Sequence, residues 1–67
     1  MKRYPEINKN YRHYKGGLYK VLYLARHSET DEEVVIYQSI HFNSIHVRPL
    51  SMWFDVIDGK ERFKLED

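Results

Sequence analysis

Apolar positions in this chain fall into short, dense runs rather than at helical spacing. The first is Gly17-Leu18-Tyr19-Lys20-Val21-Leu22-Tyr23-Leu24-Ala25, bounded by Gly16-Gly17 before it and by His27-Ser28-Glu29-Thr30-Asp31-Glu32 after it. So short a run fits helix and strand templates about equally, and its aromatic and β-branched content with turn-forming flanks decides for a strand. The next run, Glu33 to His41, contains Val34-Val35-Ile36, a stiff β-branched series that disfavours a helix. The polar stretch between the two runs makes them a hairpin.

Phe42-Asn43-Ser44 supplies the following turn, with Asn43 the residue best able to take a positive φ. Ile45 to Arg48 reads as a short strand, and Pro49, which lacks an N–H, is expected to stop regular pairing there. Leu50-Ser51-Met52-Trp53 suits one tight helical turn carrying apolar side chains inward. Phe54 to Ile57 resumes a strand, Asp58-Gly59 signals a tight hairpin, and Arg62-Phe63-Lys64-Leu65 alternates as a half-exposed last strand does. The pattern predicts an all-β fold: a small SH3-like, partly open barrel of about five strands with one short helical turn. Residues 1–10 are expected to be a polar N-terminal tail, and 11–67 a single small β-barrel domain. In the first strand neither Leu18, Leu22 and Leu24 nor Tyr19, Val21 and Tyr23 form a polar side. Either a strongly bent strand shared between two sheets or an outer surface covered by the tail or a partner accounts for this.

Composition narrows the means of stabilisation. With 67 residues and no Cys, the chain has neither a disulfide nor a thiolate zinc site, so packing must hold it together. Six Tyr, three Phe and one Trp are the material for that packing. No apolar leader follows the charged start, and the longest apolar stretch, Val21-Leu22-Tyr23-Leu24-Ala25, is far short of the ~20 residues of a membrane span. A cytoplasmic protein without membrane association is the expectation.

The net charge of +1 conceals an uneven distribution. Residues 1–27 carry seven basic groups against Glu6 alone, a net +6, whereas residues 28–67 carry four basic and nine acidic groups, a net −5. Two readings follow: the halves neutralise each other across paired strands, or a basic face meets an anionic partner.

The N-terminal motif Tyr11-Arg12-His13-Tyr14-Lys15 interleaves rings and cations, a composition that can stack bases and meet phosphates. Equally, Tyr11 and Tyr14 could serve only to lock the first strand onto the barrel. The candidate ligand-binding residues are Tyr11, Arg12, Tyr14, Lys15, Arg26, Arg48 and Trp53. Trp53 is either a plug at the barrel end, together with Met52 or Phe54, or an exposed ring in a groove. His27, His41 and His46 sit at strand ends, where solvated or backbone-bonded histidines are the ordinary outcome, so no metal is assigned. His27, Ser28 and Asp31 can be written as a triad, but neighbours on a strand point to opposite faces and all three suit a turn. No enzyme activity and no cofactor is expected. The reading is a recognition module for nucleic acid or another anionic partner; the alternative is a protein-interaction or accessory domain docking through exposed aromatics.

The run Tyr11-Arg12-His13-Tyr14-Lys15-Gly16-Gly17-Leu18-Tyr19, then Val21-Leu22 and Ala25-Arg26-His27-Ser28-Glu29-Thr30, resembles the bacterial domain-of-unknown-function family DUF1653. Glu33-Val34-Val35-Ile36-Tyr37 and Val47-Arg48-Pro49-Leu50, with Met52 and Phe54, continue the resemblance. It implies a small β-rich domain of the SH3-type barrel class and supplies no reaction, ligand or catalytic residue. Where the family pattern has a glycine-containing turn and an aromatic residue before Val-Arg-Pro, this chain has Phe42-Asn43-Ser44-Ile45-His46.

Overall fold

The computed structural model describes residues 3–66. Its strands are β1 (Asn10–His13), β2 (Leu18–Arg26), β3 (Glu33–Ser39), β4 (Ile45–Pro49), β5 (Val56–Ile57), β6 (Lys60–Glu61) and β7 (Phe63–Glu66). A 3-10 turn, Leu50–Met52, lies between β4 and β5. Five strands form one antiparallel sheet in the order β4-β3-β2-β1-β7, and β5 pairs with β6 in a separate ladder. The fold is mainly β and the sheet does not close, because β4 and β7 remain its two edges. No helix among the described residues is long and apolar enough to cross a membrane.

The membership of the sheet differs from the expectation in one place. The strand expected over 54–57 shrinks to Val56–Ile57 and pairs only with β6. Its place in the sheet goes to β1, where Tyr11 and His13 alternate with Asn10 and Arg12 at a strand's period of two. Lys15–Gly17 turn the chain into β2, Gly16 taking a φ of 109° that a side chain would resist.

Both faces of β2 are apolar because the strand changes sides. A register shift between Val21 and Tyr23 leaves Leu22 unpaired, so Tyr19 and Val21 face inward before it and Leu24 faces inward after it. The expected sharing of a bent strand between two sheets is not what is found: β2 lies in one sheet, and the bulge within it moves its apolar side chains from one face to the other. Asn43 has a φ of 58°, and the Asp58-Gly59 turn has φ of 51° and 80°, as the turn chemistry predicts.

Strand β4 runs one residue further than expected, through Pro49. The Ser39 N–H donates to the Ser44 carbonyl at 2.9 Å, which fixes the alternation along β3–β4: His46 and Arg48 exchange backbone bonds with β3, and Ile45, Val47 and Pro49 do not. Pro49 thus stands where the ladder requires no N–H.

The core comprises Tyr11, Val21, Val35, Tyr37, Leu50, Trp53 and Phe63, with Tyr19 and Phe54 packed against it. The 3-10 turn delivers Trp53, whose N–H donates to the Leu50 carbonyl at 3.0 Å. The Trp53 and Phe63 rings stack with centroids 3.9 Å apart, and Tyr11 and Tyr37 meet Trp53 edge-on. Of the tail expected over 1–10, residues 1–2 lie outside the described residues, Asn10 opens β1, and residues 3–9 lie back on this body. Pro5 is buried, the Glu6 N–H donates to the Tyr11 hydroxyl at 2.9 Å, and the Arg3 guanidinium lies 4.0 Å from the Phe54 ring centroid.

Candidate anion-binding site

The inward-facing side chains form a continuous network of rings at one end of the curled sheet. His13 of β1 contacts Tyr14 (centroids 4.7 Å apart), Phe63 (5.0 Å) and Tyr19 (6.3 Å). Tyr19 in turn meets Tyr37 at 5.5 Å and His46 at 6.3 Å, and His46 stacks on Tyr37 at 5.5 Å. The buried rings of Tyr37, Phe63 and Trp53 form the floor, while His13, Tyr14 and Tyr19 are half-buried and His46 is exposed. Arg48, from the β4 edge, places its guanidinium 5.7 Å from the Phe63 centroid and donates from Nε to the Tyr37 hydroxyl at 3.4 Å. An inward side chain of β4 thereby reaches a ring of β7, spanning the gap that the sheet leaves open.

Cations gather at this mouth. His13 is held below its ordinary pKa, first by burial and then by the positive charges of Arg62, Arg48 and Lys15. Its Nδ1 accepts the Lys15 backbone N–H at 3.1 Å, an arrangement suited to the neutral imidazole. Lys15 Nζ lies 5.8 Å from the Tyr14 ring centroid. Arg62 pairs with Asp55 at 3.7 Å, but among the described residues no carboxylate lies within ion-pair distance of Lys15 or Arg48.

The seven residues predicted as ligand contacts divide accordingly. Tyr14, Lys15 and Arg48 come together at the mouth. Arg12 faces the other side of the sheet, where Glu66 holds it in a two-pronged pair at 2.7 and 2.8 Å and the Gly16 carbonyl accepts a third bond. That pair raises the pKa of Arg12 and lowers that of Glu66. Arg26, at the far end of β2, pairs with Asp31 at 3.4 Å and Glu33 at 3.3 Å. Tyr11 and Trp53 are core residues with 4% and 0% exposure, so Trp53 is the plug and not a ring in a groove. His13, Tyr19, His46 and Arg62, which are not among those seven residues, complete the site. The alternation of His13 with Arg12 was the available signal, since it sends the two to opposite faces.

Other open depressions suit an anion less well. One of about 470 Å³ beside β1 and β7, which shares His13 and Tyr14 with the mouth, is lined by the carboxylate residues Glu61 and Glu66. Another, of about 280 Å³, adjoins Arg26 and its partner Glu33. His27 Nδ1 accepts the Glu29 and Thr30 backbone N–H groups, a turn-forming role. Ser44 Oγ and His46 Nε2 are 2.8 Å apart, but both residues are exposed, and the ring of His46 rests on Tyr37 and Tyr19 rather than on a carboxylate that would orient it as in a nucleophile–base pair. Among the described residues, no group of three or more His, Asp or Glu side chains is placed to hold a metal ion.

The model of a family described as a protein of unknown function, DUF1653, matches residues 9–65. The fold is similar to the crystal structure of a DUF1653 protein from Bordetella bronchiseptica, with 36% identity, 88% of this chain and 85% of that chain covered, and a TM-score of 0.78. A search of curated proteins finds no match.

Proposed function

The chain belongs to the DUF1653 family, and from that premise we propose that it is a non-enzymatic recognition module that binds an anionic ligand at the ring-lined mouth. Single-stranded nucleic acid is the ligand class that fits best. The observation carrying this reading is that Lys15 lies 5.8 Å from the Tyr14 ring and Arg48 5.7 Å from the Phe63 ring, both rings being in contact with His13, with no carboxylate within ion-pair distance of Lys15 or Arg48 among the described residues. Phosphates meet Lys15 and Arg48, and bases stack on Tyr14, Tyr19 or His46.

The test is fluorescence anisotropy with a labelled single-stranded oligonucleotide at 50 and 200 mM salt. Two or three neutralised phosphates on a single strand give about a tenfold affinity loss over that range. In parallel, an anion at the mouth offsets the positive field on His13, so its ring pKa rises on binding and NMR titration records the shift. Absence of binding at low salt, or binding indifferent to salt, would refute the reading.

A second reading, docking of a protein through exposed apolar side chains, draws on Tyr23, Ile45, Val47 and Phe42, which are 65%, 64%, 64% and 84% exposed. These lie on the outer face and the 40–44 loop, away from the mouth.

A further inference from the structure

The two edges of the sheet differ in how they meet solvent. On β7 the outward positions are Lys64 and Glu66, charges of the kind that discourage strand addition. On β4 the corresponding positions are Ile45 and Val47, each 64% exposed. The alternation fixed by the Ser39–Ser44 bond turns the backbone N–H and C=O groups of Ile45 and Val47 away from β3, toward the free edge. β4 is therefore an edge with apolar side chains, unpaired backbone groups and no outward charge.

We infer that β4 is a homodimerisation edge, paired antiparallel with β4 of a second copy about a two-fold axis at His46. This register is the self-complementary one. Ile45 of each copy stands opposite Val47 of the other, and both residues offer the backbone groups that such pairs exchange, giving four N–H···O bonds. Pro49, opposite Asn43 of the other copy, ends the ladder because it has no N–H.

Charge and area both favour a second copy as the occupant. Residues 42–47 carry no acidic side chain, Lys or Arg, and the axis sets Arg48 opposite Ser44 rather than against its own copy, so no like-charged Lys, Arg, Asp or Glu pair forms. The outer row Tyr23–Ile36–Val47 continues into Ile45 of the other copy, merging two apolar patches. Phe42, Ile45 and Val47 offer roughly 400 Å² per copy, about 800 Å² in total, which suits reversible rather than permanent association. The charged β7 edge prevents growth into a filament, so association stops at two.

The test is sedimentation equilibrium of the full chain from about 10 μM to 1 mM, with amide hydrogen exchange at both limits. A monomer–dimer equilibrium is expected, with the Ile45 and Val47 amides slowing as concentration rises. Val47→Pro removes an N–H that β3 does not use, so it should keep the fold and abolish the dimer. A monomer at 1 mM, an undiminished dimer in Val47→Pro, or concentration-independent exchange at Ile45 and Val47 would each overturn the inference. The exchange measurement decides the matter even if the proline variant does not fold.

Discussion

Two groups of cations on this small domain have opposite surroundings. Arg12 and Arg26 come from the strongly basic first part of the chain, and each is met by carboxylates: Glu66 for the first, Asp31 and Glu33 for the second. Lys15, Arg48 and Arg62 come from separate segments and converge on His13, with only Arg62 paired, to Asp55. Part of the excess of seven basic residues over one acid in residues 1–27 is therefore neutralised by carboxylates and adds nothing to a basic face. Positive charge is left uncompensated where folding brings more cations together than acids, and that place is fixed by strand parity and by which edges curl toward each other.

The severest way to break the contrast is to remove the floor of the mouth. Trp53 is fully buried and stacked on Phe63. Trp53→Ala is expected to cost about 3–5 kcal/mol, comparable with the whole stability of a domain this small. Urea denaturation should show the variant largely unfolded, with the cation cluster dispersed. A stable, cooperatively folded Trp53→Ala protein would mean that the mouth does not depend on the ring stack.

Arg48→Ala sharpens the contrast without removing the core. It is expected to lower oligonucleotide affinity about tenfold at low salt and to reduce the salt slope by about 0.7. Arg26→Ala, which frees carboxylates that already neutralise its charge, should leave both unchanged. Equal losses from the two substitutions in anisotropy titrations would erase the distinction between the two cation groups.

Much of the scaffold was legible from local chemistry. Asn43, Asp58 and Gly59 identify their turns because few other residues accept positive φ, and Val34-Val35-Ile36 identifies β3 because β-branched residues resist a helix. The place of β1 in the sheet was less accessible: Tyr11 and His13 read as easily as a surface motif as an inner row, and only the long-range pairing with β7 distinguishes them. The site was half legible for the same reason. Tyr14 and Lys15 lie in one segment, but their association with Arg48 and Arg62 depends on the curl of the sheet. The pairing of Arg12 with Glu66 spans 54 residues and has no local signature.

His13 gives a smaller, pH-resolved test. Its folded-state pKa lies below the ordinary value of 6.5, so the folded protein prefers the neutral ring. That contribution is fully present above pH 6.5 and is lost as pH falls through the folded-state value, because protons bind the unfolded chain first. The urea midpoint should decline on acidification below about pH 6.5. His13→Asn should flatten that part of the profile. An unchanged slope in the variant would place the responsible group elsewhere.

The smallest effect is expected on the opposite side of the sheet. Arg12 and Glu66 form an exposed pair, whose Coulomb gain is reduced by solvent and by the ordering of two side chains. Glu66 has a lowered pKa, chiefly through its bond from Arg12, so the pair contributes above the ordinary carboxyl range and is lost as pH falls through the folded-state value. Glu66→Gln should shift the melting temperature only slightly in low salt and not measurably in 1 M salt, where screening acts over about 3 Å. The same variant bears on the cation contrast directly. It releases Arg12 from its carboxylate, on the face opposite the mouth, and should therefore leave the affinity and salt slope for a single-stranded oligonucleotide as they were. A gain in affinity in Glu66→Gln would show that the ligand follows net charge rather than the convergence around His13.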